Sequence, residues 1–530
     1  MRKNIKRLSR LPFFIFGVAA YPSLALIATN IREVSFAAVL RPLAFSLAGG
    51  LLLGLILWRT FRNLERGSIA AAVLMILFFS YGHVARLLTD KFDPAYNNII
   101  EGILYLAVFG IGWFSLSRIA RDQGGFSSWM VPLNSVVLVL LLFPLFQIIS
   151  VSVTSPSSGN SNTPIVPTPV TNNPVNDPGN PGTQPSGDFP DVYLIVLDGY
   201  ARNDTMQEVG YDNSSFLTSL EDMGFFVAQC SHSNYRATLL SMTSTLNRDY
   251  LWEAIPNSGR KDTNATPLYE ALVHSTVRED FEQKGYTIVG LESGYQWDEW
   301  VDADHYITLK NDPSRSKIPE TSISEFEYIF LRNTLAFPFF ENSALAVRRF
   351  YSDYNLIMFQ LEELPKVAAG IPGPKFVYAH IMVPHTPFIF LPDGSLNTDS
   401  RYYNLENGTP SNPAFWVPGY INSIEFINSR IKGILDEIIK NSARPPIIVL
   451  QGDHGFLIRE RRYNNLMAFY FPNGGDQALY DTISPVNTFR LISNLYFGGN
   501  YELRKDLRID ADSGRPYAPG VVKPFPATCP

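Results

Sequence analysis

Four side chains that commonly bind metals stand at the ends of short apolar stretches in this 530-residue chain. Asp198 directly follows VYLIVL, His380 ends FVYAH, and Asp453 with His454 follows PIIVLQG. Continuous apolar runs of this length are typical of strands covered on both faces, hence of a largely parallel sheet. Ligands collect at the carboxyl ends of such strands, so we expect these side chains to meet at one edge. Taken alone, Asp198 is equally consistent with a helix cap.

Two carboxylates and one imidazole at a single sheet edge would suit a divalent metal ion. Oxygen and nitrogen ligands of this kind favour Zn²⁺ or Mn²⁺. We therefore predict one divalent ion at Asp198, Asp453 and His454. The chain has only two cysteines, Cys230 and Cys529, which excludes a disulfide framework and a CxxC-type zinc site. One bridge is possible, but Cys230 lies in an apolar stretch and is interpreted as a buried free thiol.

A nucleophile is offered by the segment 234–244, NYRATLLSMTS, which carries hydroxyls at three-residue spacing on Thr238, Ser241 and Ser244. A helix beginning there would place a hydroxyl beside the metal and point backbone N–H groups at an anion. A bound cation lowers the pKa of a threonine hydroxyl enough to make it nucleophilic. The alternative is an ordinary helix cap with its first turns. Asn234 either contacts a phosphate oxygen or has a capping role.

Five apolar stretches precede these motifs, each near the roughly 20 residues that cross a membrane as a helix. They are 12–29, 36–58, 68–85, 99–117 and 130–152, and we predict five spans within a membrane domain over residues 1–153. The basic residues cluster in three segments, which the positive-inside rule assigns to the cytoplasm. These are the N-terminus and the segments after the second and fourth stretches: Arg2, Lys3, Lys6, Arg7 and Arg10; Arg59, Arg62 and Arg66; Arg118 and Arg121. Everything after residue 153 is then expected outside.

Composition separates the rest of the chain into a linker and a second domain. Residues 154–188 contain 8 Pro and 4 Gly among Ser, Thr and Asn, which predicts a disordered linker. Residues 189–530 alternate apolar strands with helical stretches, which predicts an α/β domain with a largely parallel sheet. Residues 1–153 hold 14 basic and 6 acidic residues, which leaves 29 basic and 43 acidic residues for 154–530. This excess of acidic residues in 154–530 excludes nucleic-acid binding that is driven by charge alone.

The strand predictions are Val192–Leu197, Phe225–Cys230, Thr287–Leu291, Phe376–Ala379 and Pro446–Leu450. A group of aromatic and polar residues after a predicted strand either lines a headgroup pocket or belongs to a surface loop: Trp297, Trp300, Asp302, Asp304 and His305. The basic run at Arg459, Arg461 and Arg462 either meets an anionic substrate or is a solvated surface.

Four motifs together resemble the alkaline phosphatase and sulfatase superfamily: VLDG at 196–199, TxxSxxS at 238–244, PHTPF at 384–388 and GDHG at 452–455. The resemblance covers roughly residues 189–500. Five predicted spans ahead of such a domain also resemble the lipoteichoic acid synthases, which are phosphoglycerol transferases, and the lipid A phosphoethanolamine transferases. The resemblance implies an alkaline-phosphatase-like α/β fold for residues 189–530.

Carried over by motif, the resemblance adds Thr238 to the metal ligands Asp198, Asp453 and His454, and makes Thr238 the nucleophile that takes the phosphoryl group. His385, within PHTPF, matches a histidine that contacts the substrate and protonates a leaving group. His380 is either a second substrate-side histidine or a packed strand residue.

The departures from the superfamily narrow the expected chemistry. The C/S-x-P-x-R element of sulfatases is missing around Cys230, where the sequence reads CSHSN. No histidine follows His454, so the ligands of a complete second metal site are lacking. The single-metal transferases usually carry Glu at the position that Asp198 occupies here. This chain therefore differs from them at one expected metal ligand.

We therefore expect a metal-dependent phosphotransferase or phosphodiester hydrolase, integral to the cytoplasmic membrane, with its catalytic domain outside. It would use a membrane lipid or envelope phosphoryl donor and form a phospho-threonine intermediate. The alternatives are a sulfatase-like ester hydrolase and a non-catalytic envelope module that retains the fold. The motifs specify neither the acceptor nor the oligomeric state.

Overall fold

The chain forms two compact units. The structure, a computed structural model, describes residues 11–30, 37–89, 91, 96–122, 125–154, 189–255, 264–309, 323–340, 343, 350–399, 402, 416–456, 461–511, 517 and 522–525. The first unit combines Met1–Val175 with Thr321–Arg349, and the second combines Asn176–Glu320 with Phe350–Pro530. The predicted linker, 154–188, falls almost entirely outside the described residues.

The first unit is helical. Its helices are α1 (Phe14–Asn30), α2 (Ala37–Phe61), α3 (Leu64–Thr89), α4 (Asn97–Arg121), α5 (Ser127–Thr154), α12 (Glu325–Arg332) and α13 (Phe337–Phe340). Within the described residues, α2 to α5 are long and apolar enough to cross a membrane. The prediction of five spans is wrong in its count, because the first stretch forms a helix of only 17 residues. At 1.5 Å per residue, α1 rises about 26 Å, short of a hydrocarbon core of about 30 Å.

Helix α1 is partly buried among its neighbours in this unit. It packs against α2, α3 and α5, and its N-terminus is held by Asn134 of α5. The side-chain oxygen of Asn134 accepts a hydrogen bond from the backbone N–H of Phe14 at 2.8 Å, and its amide donates to the carbonyl of Leu11 at 2.7 Å. These bonds satisfy backbone groups that a helix end leaves open.

The second unit is built on a seven-stranded sheet in the order β2-β7-β6-β1-β5-β3-β4. Its strands are β1 (Val192–Leu197), β2 (Phe226–Val227), β3 (Thr287–Leu291), β4 (His305–Ile307), β5 (Lys375–Ile381), β6 (Ile447–Gln451) and β7 (Met467–Tyr470); β8 (Leu507–Ile509) and β9 (Val522–Pro524) pair separately. The pairs β6/β1, β1/β5, β5/β3 and β3/β4 are parallel, whereas β2/β7 and β6/β7 are antiparallel. A mostly parallel α/β sheet is therefore confirmed.

Every residue of the central strands β1, β5 and β6 is buried, because helices cover both faces of a parallel sheet. The helices of this unit are α6 (Asn203–Gln207), α7 (Ser214–Asp222), α8 (Thr238–Asn247), α9 (Leu251–Ala254), α10 (Thr266–Val273), α11 (Thr276–Gln283), α14 (Tyr351–Glu363), α15 (Val367–Gly370), α16 (Val417–Asn441) and α17 (Pro485–Tyr496). The sequence places β1 and β3 with their observed bounds. It overextends β2 and misses β4 and β7.

Candidate metal centre

The carboxylate of Asp198 is positioned by the end of β1. Its backbone N–H donates to the carbonyl of Ile381 at 3.0 Å, which extends the β1/β5 pairing by one step. The residue is only 1% exposed. Strands β1 and β6 are parallel neighbours, so the chain leaving β6 reaches the same edge as Asp198.

The GDHG turn after β6 presents Asp453 and His454, and its two glycines are needed for close approaches. A Cβ atom on Gly452 would lie 2.4 Å from the carbonyl oxygen of Tyr200, and one on Gly455 would lie 2.2 Å from that of Asn464. Both distances are too short for any side chain, so only glycine permits this turn. The backbone N–H of the residue after Asp198 donates to Oδ1 of Asp453 at 2.9 Å, which joins the β1 and β6 ends directly.

Ligand atoms of Asp198, Asp453 and His454 all lie within 4.8 Å of one another. Nε2 of His454 is 3.3 Å from Oδ2 of Asp453 and 4.0 Å from Oδ1 of Asp198. Both carboxylate oxygens are buried without a hydrogen-bond partner, which is costly unless another group binds them. Nδ1 of His454 donates to the carbonyl of Gly455 at 2.8 Å, so the lone pair is on Nε2, as metal ligation requires. The three residues therefore fit a divalent cation.

The pKa shifts of His454 and Asp198 also suit the binding of a cation. Burial lowers the pKa of His454, which keeps its imidazole neutral and able to ligate. Burial raises the pKa of Asp198, but the nearby imidazoles of His385 and His380 outweigh that effect and leave the pKa below its ordinary value. Asp198 is therefore ionised at neutral pH.

Thr238 is the first residue of α8, and its hydroxyl faces the same centre. Its Oγ1 lies 3.4 Å from Nε2 of His454. The N-cap residue is Ala237, and no side-chain capping bond is formed there, so the hydroxyl of Thr238 does not cap the helix. The hydroxyls of Ser241 and Ser244 are both engaged by backbone, since they donate to the carbonyls of Asp453 at 2.6 Å and Asp249 at 2.7 Å.

Two groups border the centre on its more open side. His385 is 27% exposed in its side chain, and its Nε2 lies 4.0 Å from Oδ1 of Asp198. Its Nδ1 donates to the carbonyl of Thr386 at 2.7 Å, which directs Nε2 toward the centre. Nη2 of Arg462, a member of the predicted basic run, lies 3.4 Å from Nε2 of His454. A guanidinium at this place is suited to an anionic ligand.

His380 lies behind Asp198. The side chain has no exposed surface, which favours the packed strand residue of the two alternatives for this histidine. Its Nδ1 is 2.5 Å from Oδ2 of Asp298, and its Nε2, 3.6 Å from Oδ2 of Asp198, has no hydrogen-bond partner. Burial lowers the pKa of His380, but the two carboxylates outweigh it and raise the pKa well above the ordinary value. The cationic imidazole therefore offsets the charge of Asp298, and the charges of Asp198 and Asp453 stay available to a cation.

Asp298 is the residue at this centre that sequence reasoning missed. It lies in the short 3₁₀ turn Gln296–Asp298 and also accepts a hydrogen bond from the hydroxyl of Tyr378 at 2.6 Å. Of the residues predicted in this stretch, Trp300 is buried and stacks on Tyr378, and Asp302 forms an ion pair with Arg278. Within the sequence, its only signal is a pair of acidic residues, Asp298 and Glu299, between two tryptophans.

Asn234 is engaged elsewhere in the fold. Its amide nitrogen donates to the hydroxyl of Ser484 and the carbonyl of Leu507, both at 3.0 Å, and its oxygen accepts from the N–H of Val486 at 2.9 Å. All of its bonding groups are used, so the geometry gives no support to phosphate binding, which stays a prediction. The interpretation of Cys230 as a free thiol is wrong, because Cys230 is disulfide-bonded. Cys529, the other cysteine of the chain, lies outside the described residues.

Several solved structures are similar to this chain. The zinc complex of the C-terminal periplasmic domain of EptC from Escherichia coli has a TM-score of 0.41 at 10% identity, covering 64% of this chain and 94% of that one. The integral membrane lipooligosaccharide phosphoethanolamine transferase A from Neisseria meningitidis has a TM-score of 0.36 at 12% identity, covering 92% and 95%. The lipoteichoic acid synthase LtaP from Listeria monocytogenes has 0.34 at 14%, covering 58% and 72%. No family model and no curated protein matches the sequence.

Proposed function

We propose that this chain is a membrane-integral, metal-dependent phosphotransferase or phosphodiester hydrolase that works through a phospho-threonine at Thr238. The observation that carries the proposal is the set of unpartnered, buried ligand atoms of Asp198 and Asp453 beside Nε2 of His454, with the Thr238 hydroxyl 3.4 Å away. The order of the VLDG, TxxSxxS, PHTPF and GDHG motifs supports the same chemistry.

Asp198, Asp453 and His454 would hold one divalent ion, Zn²⁺ or Mn²⁺, with Thr238 completing the set. When bound, such an ion lowers the pKa of an adjacent hydroxyl and offsets the charge of a phosphate. The fold supplies the nucleophile and the donors that would contact the phosphate. Helix α8 fixes Oγ1 of Thr238 at the centre, and its first backbone N–H groups point toward an anion placed there. Arg462 supplies a cationic donor on the same side.

The reaction is a double displacement at phosphorus. Oγ1 of Thr238 forms a bond to phosphorus while the bond to the leaving alcohol oxygen breaks, and the threonine proton passes to solvent. His385 enters this step as the imidazolium and donates its Nε2 proton to the leaving oxygen, which leaves the neutral ring, since an imidazole can exchange protons at neutral pH. In the second step, water or an acceptor alcohol attacks phosphorus, His385 takes its proton, and Thr238 is released and reprotonated.

The proposed substrate is a phosphoryl donor of the membrane or envelope, met outside the cytoplasm. The basic segments at 59–66 and 118–121 place the connections α2/α3 and α4/α5 in the cytoplasm. Helix α5 then leads outward to the second unit. This assignment uses only the four long helices and does not depend on whether α1 crosses.

The test is to give the purified full-length chain, loaded with Zn²⁺ or Mn²⁺, a phospholipid phosphodiester and an aryl sulfate ester in parallel. We expect turnover of the phosphodiester and a mass adduct on the peptide that contains Thr238. Turnover of the sulfate ester alone would establish the sulfatase-like alternative, and an adduct on Ser241 would overturn the assigned nucleophile. A chain that binds the ion but turns over neither ester would support the non-catalytic alternative.

A further inference from the structure

A segment from the middle of the second unit's sequence belongs structurally to the helical unit. Thr321–Arg349 is grouped with the helical unit, whereas the chain before and after it is grouped with the second unit. Residues 323–340 of this excursion are described, and they contain α12 and α13. They are hereafter called the docking segment.

The backbone of the docking segment is hydrogen-bonded to α3. The N–H of Leu335 donates to the carbonyl of Phe78 at 2.9 Å, and the N–H of Gly82 donates to the carbonyl of Asn333 at 3.1 Å. Phe78 and Gly82 are four residues apart, the spacing at which a regular helix would pair these two groups with each other. A Cβ atom on Gly82 would lie 2.1 Å from the carbonyl oxygen of Arg332. Only glycine at position 82 therefore permits this approach.

Side chains extend the contact to α1, α2 and α4. Phe326 packs with Ile27 of α1 and Val39 of α2, and Glu327 forms an ion pair with Arg41. The hydroxyl of Tyr105 on α4 donates to the carbonyl of Leu335 at 3.1 Å. The ring of Phe330 lies 5.8 Å from that of Phe79 on α3.

The N-terminus of helix α12 is capped by its own side chains. Ser324 and Glu327 form a capping box, in which the serine hydroxyl accepts from the N–H of Glu327 and the glutamate accepts from the N–H of Ser324. Such a box satisfies two open donors at the helix start. Glu327 thus serves the helix cap and the ion pair with Arg41 together.

The C-terminal part of the docking segment is mainly apolar. Residues 329–340 read IFLRNTLAFPFF, α13 has no buried residue, and Phe339 is 79% exposed. Irregular backbone at membrane depth is tolerated only where protein satisfies its polar groups. Here Asn333 C=O, Leu335 N–H and Leu335 C=O all bond to α3 or α4.

We propose that residues 323–340 are a membrane-inserted anchor that binds the second unit to α2, α3 and α4 independently of the 154–188 linker. Without this segment, the second unit would be joined to the helices only through residues 154–188. A docked excursion whose two ends both return to that unit restricts its range. The anchor thereby limits the unit to targets close to its own helices.

The experiment separates the anchor from the linker. A specific protease site is introduced into 154–188 of the full chain carrying an N-terminal tag. After cleavage in membranes, the protein is dissolved in mild detergent and captured on the tag, with a high-salt wash. We expect the C-terminal fragment to remain bound. The Gly82→Leu variant should retain at least about tenfold less of it, because the leucine clashes with the backbone at Arg332.

Gly102→Leu is the matched control, since a Cβ atom on Gly102 of α4 meets nothing within 4 Å. It should retain the fragment as the unaltered chain does. Loss of the fragment from the unaltered chain would overturn the proposal, and so would full retention by Gly82→Leu. Should Gly82→Leu fail to fold, cysteines placed at Phe79 and Phe330 provide a second measurement. A short bis-maleimide should join the two cleaved fragments there, and no joined product would overturn the proposal.

Discussion

Nδ1 of His380 lies 2.5 Å from Oδ2 of Asp298, and neither side chain is exposed to solvent. The opposite nitrogen of the same imidazole faces Oδ2 of Asp198 at 3.6 Å. Asp298 therefore fixes the ring that lies behind a carboxylate of the candidate metal centre. This carboxylate–imidazole–carboxylate series resembles in form the outer partners that orient metal ligands in other proteins.

Replacing Asp298 by Asn should weaken divalent-ion binding by about 10- to 100-fold. The ring of His380 loses its charged partner, so Asp198 is held less well. Affinity is measured by competition of the purified chain with a metal chelator. Asp302→Asn is the control, because Asp302 lies on the same segment but is half-exposed and bound to Arg278. Equal affinity of Asp298→Asn and the unaltered chain would contradict the role assigned to Asp298.

Replacing Thr238 by Ala should lower turnover by several orders of magnitude and leave the fold intact, because a nucleophile is lost. A capping hydroxyl would instead affect stability by about 1 kcal/mol and spare the chemistry. Steady-state kinetics and thermal unfolding are compared with those of Ser241→Ala, whose hydroxyl is committed to the carbonyl of Asp453. Near-normal turnover of Thr238→Ala would refute the assignment.

Elemental analysis should find one tightly held divalent ion per chain. The ligand atoms of Asp198, Asp453 and His454 complete one cluster, and within the described residues no other acidic or histidine cluster of this kind is found. The double variant Asp453→Ala, His454→Ala should lose the ion. Two tightly held ions, or an unchanged metal content in the double variant, would show that the site is wrongly assigned.

A reporter that is active only outside the cytoplasm should be active when fused after residue 160. The prediction follows from the basic segments at 59–66 and 118–121 and from the four long helices α2 to α5. A second fusion after Arg121, on the cytoplasmic side, should be inactive. The reverse pattern at the two positions would invert the topology.

Acidification should destabilise the second unit through His232. Burial, with help from Arg202 and Arg508, lowers the pKa of this imidazole to about 3. Between roughly pH 6.5 and 3 the unfolded chain binds a proton that the folded chain excludes, so stability falls by about 1.4 kcal/mol per pH unit as pH decreases. His232→Gln should lose less stability than the unaltered chain between pH 7 and pH 4 in chemical unfolding. His274→Gln, at an exposed position, should behave like the unaltered chain, and identical pH profiles for all three would disprove the effect.

The sequence alone predicted that Asp198, Asp453 and His454 would lie together, and their ligand atoms are within 4.8 Å of one another. Buried strands of this length are recognisable from their apolar runs, and parallel pairing carries their carboxyl ends to a common edge. The same reasoning located β1 and β3 and the helices α2 to α5. The prediction of a membrane span failed for the first helix, because a count of apolar residues does not show that α1 is only 17 residues long.

Only the tertiary structure showed that Asp298 contacts His380 behind the site and that the docking segment packs with the helical unit. Asp298 is 82 positions from His380, and Gly82 is about 250 positions from Asn333. Neither pairing leaves a local pattern, because hydropathy and capping report only on neighbours within a few turns of chain. Contacts of this kind are set by how whole elements pack, and the side chains involved acquire their roles only once the backbone has brought them together.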